Sequence, residues 1–293
     1  RELGRALLVA KIEKAEAIEN LLEIIAETDG LMVARGDLGV ETSVELVPVY
    51  QKRIIELAVA NDKFVITATQ MLQSMIENPF PTRAEASDVA NAVWDGTDAV
   101  MLSAETASGK YPVETIKTMA RIIDSAETLK ATQLKKPAKF SQPPTGRTSQ
   151  ALCKAAAAAA KEIQTEKVAV FTESGLMARR LSSFRSGLQT FALTTCEDAR
   201  NQLSLIWGVL PFYVKGLSSS GEAQDIGDKT MFDLVNTDSD MTEEMLKTGE
   251  RTLLAADVVT DGETMIMMAG RLSGLGLSSS VVVWSIGEEV ARR

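Results

Sequence analysis

The sequence predicts an α/β protein in two parts, a series of strand–helix units from a parallel sheet and then a smaller α/β domain. Three observations carry that reading. Short apolar runs rich in Val, Leu, Ile and Ala recur and each runs into polar residues, as strands covered on both faces do. Between these runs lie stretches whose apolar residues fall at helical spacing. A polar, proline-marked stretch from Lys130 to Gln150 then separates two such series.

Composition narrows the function before any motif is considered. The 293 residues allow two domains of ordinary size, and a hydrophobic content of 45% is enough for a real core. A formal net charge of −9 excludes a general nucleic-acid or membrane-surface binder and leaves room only for local basic pockets that take small anions. No apolar segment approaches the length of a membrane-spanning helix. The two cysteines, Cys153 and Cys196, are too few for a disulfide framework and point to a reducing, cytoplasmic setting. Histidine is absent, which removes Ser-His-Asp triads, imidazole acid–base work and most zinc sites. The chain opens on Arg1 and not on Met, with no signal peptide ahead, and reads as cut at its start.

The first strand is Leu7 to Glu13. Residues two apart on a strand share a face, so Lys11 and Glu13 emerge together where it ends. On these residues alone, a solvated ion pair and a phosphate- or metal-handling pair both fit. A helix follows from Ala15 to Ile25, closed by Asp29-Gly30, and a second strand, Gly30 to Ala34, runs into Arg35-Gly36-Asp37-Leu38-Gly39. An Arg-Gly-Asp triplet at a strand exit of an acidic chain does not suit adhesion. Gly36 lets a ligand approach the backbone and leaves its amide free to donate, and Asp37 supplies a hard oxygen. A helix from Val47 to Ala60 leads to the third strand, Phe64 to Gln70, on which Thr67 and Thr69 are expected to share a face. Thr82 and Glu85 form the pattern of a capping box, opening a helix from Ala84 to Trp94 that closes at Asp95-Gly96. The fourth strand, Ala99 to Ser103, exits into Glu105-Thr106, and the helix Pro112 to Leu129 completes the series. Four such units imply a parallel sheet and amount to half of a (β/α)8 barrel, so the other half is missing or comes from another chain.

The residues Ala10-Lys11-Ile12-Glu13, Met32 through Gly39, Thr67-Ala68-Thr69-Gln70-Met71, Pro79 through Glu85, Asp88 through Val93, Asp95-Gly96-Thr97-Asp98 and Met101 through Thr106 together resemble pyruvate kinase, nearly continuously over residues 6–127. The resemblance implies that these strands are the fifth to eighth of a TIM barrel, with the first four strands and the lid domain inserted after the third absent. It implies transfer of phosphate from phosphoenolpyruvate to ADP, giving pyruvate and ATP in glycolysis. Lys11 would then face the transferring phosphate, and Glu13 and Asp37 would hold Mg²⁺ or Mn²⁺. The Gly36 and Asp37 amides would take the substrate carboxylate, and Thr69 would bind substrate and help deliver a proton through water. Arg35, Ser103 and Glu105 would support the site. Any K⁺ ligands would belong to the missing half, and the chain alone is expected to be inactive.

In the second part, Thr148 to Lys161 reads as an alanine-rich helix. Lys167 to Phe171, Gln189 to Thr194, Leu210 to Val214, Glu263 to Ala269 and Val281 to Ile286 read as strands, with helices from Leu176 to Phe184 and Asp198 to Trp207 and a helix end near Leu253 to Val259. The turn Thr172-Glu173-Ser174-Gly175 fits either an anion nest or an ordinary capped turn. This region resembles the C-terminal domain of pyruvate kinases, which implies an allosteric site for a sugar-phosphate or nucleotide effector at Thr172, Ser174, Gly175 and Arg271, and homotetramer contacts. Glu173 departs from a phosphate loop, and the acidic segment Ser218 to Met241 departs from the family pattern. The domains are therefore expected at 1–130 (half-barrel), 131–147 (linker) and 148–293 (effector and assembly domain). A non-catalytic assembly module of the same descent is the alternative. A different barrel acting on pyruvate or phosphoenolpyruvate, an aldolase or lyase, is disfavoured by the Lys-Ile-Glu and Thr-Arg-Ala-Glu motifs together.

Overall fold

A computed structural model describes residues 6–131, 147–214, 216–217, 223–224, 241–269 and 280–287. The chain separates into two compact units, residues 1–141 and 142–293.

The first unit runs β1 (Val9–Ile12), α1 (Ala15–Glu19), α2 (Leu21–Glu27), β2 (Gly30–Ala34), α3 (Arg35–Glu41), α4 (Val47–Ala60), β3 (Phe64–Ala68), α5 (Arg83–Asp95), β4 (Ala99–Val100), α6 (Ala104–Ala107) and α7 (Pro112–Ala131). Its four strands form one parallel sheet in the strictly sequential order β1-β2-β3-β4. Alternation along the strands divides the sheet into two faces. Ile12, Leu31, Val33 and Val65 pack against Ile18, Leu21 and Ile25 of the first two helices and Ile54, Ile55 and Ala58 of α4, all buried. The opposite face carries the cross-strand row Lys11, Met32, Ile66 and Ala99, and none of these four is buried.

Local chemistry explains where the elements begin and end. The capping box at α5 is present in both directions: the Thr82 hydroxyl accepts from the Glu85 amide, and the Glu85 carboxylate accepts from the Thr82 amide. Gly96, at φ 101°, takes the left-handed position that ends the same helix. The expected single helix from Ala15 to Ile25 is instead two, broken at Asn20, whose side-chain amide donates to the Glu16 carbonyl. Asparagine competes for helix carbonyls in this way. Arg35-Gly36-Asp37 follows the end of β2 directly, as expected, and forms the first turn of α3, and Arg35 is buried, so the triplet is not displayed for adhesion. The third strand stops at Ala68, before the expected Gln70.

The second unit runs α8 (Arg147–Glu162), β5 (Lys167–Phe171), α9 (Leu176–Ser183), β6 (Gln189–Thr194), α10 (Glu197–Leu203), β7 (Val209–Tyr213), β8 (Gly216–Leu217), β9 (Ala223–Gln224), α11 (Met241–Ala255), β10 (Thr264–Ala269) and β11 (Ser280–Ser285). Five of its strands form a sheet in the order β11-β10-β5-β6-β7, parallel except for the edge strand β11, while β8 and β9 pair only with each other. Phe171, Phe191, Leu193, Leu253, Met265 and Met267 lie in its buried core. The helix expected to reach Trp207 ends at Leu203. The expected linker, the acidic segment after Ser218 and Arg271 lie wholly or mostly outside the described residues.

Candidate active site

Because β1 and β2 are parallel neighbours in register (Lys11 opposite Met32), their ends deliver Lys11 and Glu13 beside the first turn of α3. The Lys11 ammonium donates to Asp37 Oδ2 at 2.7 Å and also touches the Glu13 carboxylate. The side chains of all three are about one-third to one-half exposed. The hydrogen bond from Lys11 to Asp37, with that to Glu13 second, raises the ammonium to about 12. The same bond from Lys11 holds the Asp37 carboxyl below its ordinary range.

Two carboxylates that touch one ammonium can also touch one metal ion. The donor set suits a hard divalent cation that keeps several positions for water and substrate oxygens. Among the described residues no cluster of three or more metal-ligating side chains occurs, and Glu13 and Asp37 are the pair found at this end of the sheet.

Thr69 and Gln70 follow β3 with φ of 68° and 53°, which ends the strand and turns the chain. The two threonines expected on one face are therefore separated. Thr67 is fully buried and its hydroxyl donates to the Thr97 hydroxyl at 3.0 Å. Thr69 swings towards α3, where its Oγ1 accepts from the Gly36 amide at 2.8 Å and donates to the Ala68 carbonyl at 2.7 Å. The Gly36 amide, expected free, is thus engaged by Thr69. A Cβ built on Gly36 would meet nothing closer than Thr69 Oγ1 at 3.5 Å, so the packing of the chain itself does not require glycine there.

Glu105 is 1% exposed, and its carboxylate accepts from the Ser103 amide at 2.8 Å and the Leu72 amide at 3.4 Å. It ties the start of α6 to the loop after β3, while Ser103 itself is exposed. Arg35 donates into the same loop and to Asp88 of α5 at 2.6 Å. Neither Asp88 nor Gln51, which also contacts Arg35, stands out in the sequence, because each sits on a helix as an ordinary polar residue.

In the second unit, the Thr172 hydroxyl accepts from the Gly175 amide at 3.0 Å, and Gly175 enters α9 at φ 75°. The Ser174 carbonyl accepts from Arg179. The turn is closed on its own hydroxyl, as a capped turn is.

Comparison with known proteins agrees with the geometry. The family model described as "Pyruvate kinase, barrel domain" matches residues 2–116, and that described as "Pyruvate kinase, alpha/beta domain" matches residues 150–283. A pyruvate kinase of Mycobacterium tuberculosis (strain ATCC 25618 / H37Rv) is 40% identical over 289 residues, 98% of this chain and 56% of that protein. One from Lactococcus lactis subsp. lactis (strain IL1403) is 39% identical over 280 residues, 95% of this chain and 51% of its own length. One from Sporosarcina psychrophila reaches 47% over 222 residues, 73% of this chain and 36% of that protein. The chain spans about half the length of the curated relatives it matches.

Proposed function

The chain belongs to the pyruvate kinase family, and from that premise we propose that it is the later part of a divalent-cation-dependent kinase that moves phosphate from phosphoenolpyruvate to ADP. The observation that carries this reading is the Lys11 ammonium set between the Glu13 and Asp37 carboxylates at one end of the parallel sheet. Residues 1–130 are read as strands five to eight of the catalytic barrel, 131–147 as a linker and 148–293 as the effector and assembly domain of a tetramer. The strictly sequential strand order of the first unit supports the barrel reading, since a barrel winds in one direction without reversal.

Phosphoryl transfer is mostly positioning and neutralisation of charge. Lys11, cationic to about pH 12, serves as the fixed positive charge on the transferring phosphate. Glu13 and Asp37 would hold the metal, and the bond from Lys11 keeps the Asp37 carboxyl below its ordinary range. Held there, Mg²⁺ or Mn²⁺ would supply further charge neutralisation on substrate oxygens. The Asp37 amide and, once Thr69 yields it, the Gly36 amide receive the substrate carboxylate. Thr69 orients the enolate face, and the proton arrives through water because a threonine hydroxyl is too weak an acid to act unaided. Glu105 and Ser103 brace the loop that carries Thr69. Any K⁺ would be held by the other half of the barrel.

Thr172, Ser174, Gly175 and Arg271 are retained as the site for a sugar-phosphate or nucleotide effector. β5 and β10 are parallel neighbours on which the strand order of the second sheet reverses. Ligands of open α/β sheets bind at the carboxyl ends of strands at such a reversal, and Thr172 follows β5 there.

A coupled assay of the complete chain with ADP, phosphoenolpyruvate and Mg²⁺ tests the reading. Turnover is expected from the complete chain and little or none from the 293 residues alone, because half of the site is absent. Ordinary kinase rates from these residues alone would refute the half-barrel, and no turnover from the complete chain would favour an assembly module.

Gly36→Ala separates a ligand's demands from the fold's. Alanine is favoured over glycine in a helix by up to about 1 kcal/mol, and the nearest side-chain atom leaves ordinary contact distance. The thermal midpoint is expected to hold or rise, while KM for phosphoenolpyruvate rises roughly tenfold, because the added methyl group keeps the substrate carboxylate from closing on the amide and weakens about one good hydrogen bond. An unchanged KM would remove Gly36 from the substrate site.

A further inference from the structure

Two consecutive non-glycine residues in the left-handed region form a costly backbone, the more so when the first is a β-branched threonine. Thr69 and Gln70 are such a pair, at φ 68° and 53°. Something must hold them there. The Arg35 guanidinium, 8% exposed, donates through Nε to the Ala68 carbonyl at 3.3 Å and the Thr69 carbonyl at 3.2 Å, and through Nη2 to the Thr69 carbonyl at 2.7 Å and the Gln70 carbonyl at 3.1 Å. Its remaining nitrogen is fixed by Asp88 Oδ2 at 2.6 Å. One planar, rigid group thus gathers three successive carbonyls of the turn. It does so from the residue immediately before Gly36 and Asp37, so one helical turn carries both the Asp37 carboxylate that meets Lys11 and the clamp on the threonine loop.

We infer that Arg35 is a positioning residue for the reaction. It holds the Thr69–Gln70 backbone in its left-handed form, and through it sets the Thr69 hydroxyl against the Gly36 amide. Asp88 orients the guanidinium. This rests on the kinase reading above for its catalytic consequence, but not for its structural content. Among the described residues Arg35 bonds to the Ala68–Met71 segment, Gln51 and Asp88 and not to Lys11, Glu13 or Asp37, so its effect on chemistry passes through Thr69.

The test uses the complete chain with Arg35→Gln, Arg35→Lys and Gln70→Gly, singly and combined. Glycine adopts positive φ without strain, so Gln70→Gly removes part of the need for the clamp. Gln70→Gly is expected to raise the thermal midpoint of the Arg35→Gln protein by about 3 °C more than it raises that of the unsubstituted chain. Should Arg35→Gln alone fail to fold, restoration of folding by Gln70→Gly is the same result. Arg35→Lys, which keeps the charge but not the fork, is expected to lose about tenfold or more in kcat, with Gly36 amide exchange accelerated and Mn²⁺ affinity unchanged. An equal shift from Gln70→Gly in both backgrounds, or full kcat and amide protection in Arg35→Lys, would overturn the inference. Failure of the kinase reading would show separately, as absence of turnover in the unsubstituted complete chain.

Discussion

Replacing Lys11 with methionine in the complete chain is expected to lower phosphoryl transfer by at least about 10³-fold, the scale on which removing one positioned cation acts in such sites. Methionine matches the length of the aliphatic stem and no core contact depends on the ammonium, since Lys11 is exposed and its bonds go only to Asp37 and Glu13. The fold should therefore persist. Enolisation of pyruvate, followed as exchange of its methyl protons with solvent deuterium, is expected to survive in part, because Glu13, Asp37 and Thr69 remain. Full kinase activity in the variant would sink the assignment of Lys11.

The same substitution carries a pH signature whose sign follows from the ion pair. Lys11 is raised to about 12, so its stabilising contribution is complete below the unfolded value of 10.5 and is lost as pH climbs through about 12. Asp37 is lowered, so its contribution is present above the unfolded value of 3.8 and is lost as pH falls through the folded value. Without the ammonium the two largest causes of that lowering, its hydrogen bond and its charge, are gone, and only the smaller effect of Glu13 remains. The acid limb of divalent-ion binding is expected to move to higher pH in the methionine variant, which a Mn²⁺ titration across pH would record.

How far the sequence reached depends on what kind of force places each residue. The strands β2, β5 and β6 and helix α4 are recovered at their expected bounds, because apolar runs and helical spacing report burial directly. The capping box at Thr82 and Glu85 is equally legible, since its chemistry is local. Lys11, Glu13 and Asp37 meet as expected, for adjacent parallel strands in register leave their exits side by side. The turn at Thr69 was not legible. Threonine prefers the extended backbone, and the bonds that meet its left-handed turn come from residues on another element, the Arg35 guanidinium and the Gly36 amide. The engagement of the Gly36 amide by Thr69 was hidden for the same reason, and the split at Asn20 because a single polar side chain broke an otherwise sound helical pattern.

Asp37→Asn is expected to raise the Mn²⁺ concentration needed for half-saturation of the complete chain by at least about 100-fold, above the range found for groups that only support a ligand. Asparagine keeps the shape and the backbone amide of the first turn of α3 but removes the charge and one acceptor. Turnover at saturating phosphoenolpyruvate should fall with metal occupancy and recover partly at high Mn²⁺, while in the substrate-free fold the change weakens the 2.7 Å bond to an exposed lysine and the contact with Glu13, both at the surface. The contrast with Lys11→Met is what makes the pair informative. In the substrate-free chain, the ammonium occupies the carboxylates that a divalent ion needs, so removing it is expected to tighten ion binding, whereas removing Asp37 weakens it. Two substitutions at neighbouring, bonded groups that merely damaged local structure would shift affinity in the same direction. Opposite shifts require that Lys11 and the metal compete for one pair of oxygens, and equal Mn²⁺ affinity in Asp37→Asn and the unsubstituted chain would place the ion elsewhere.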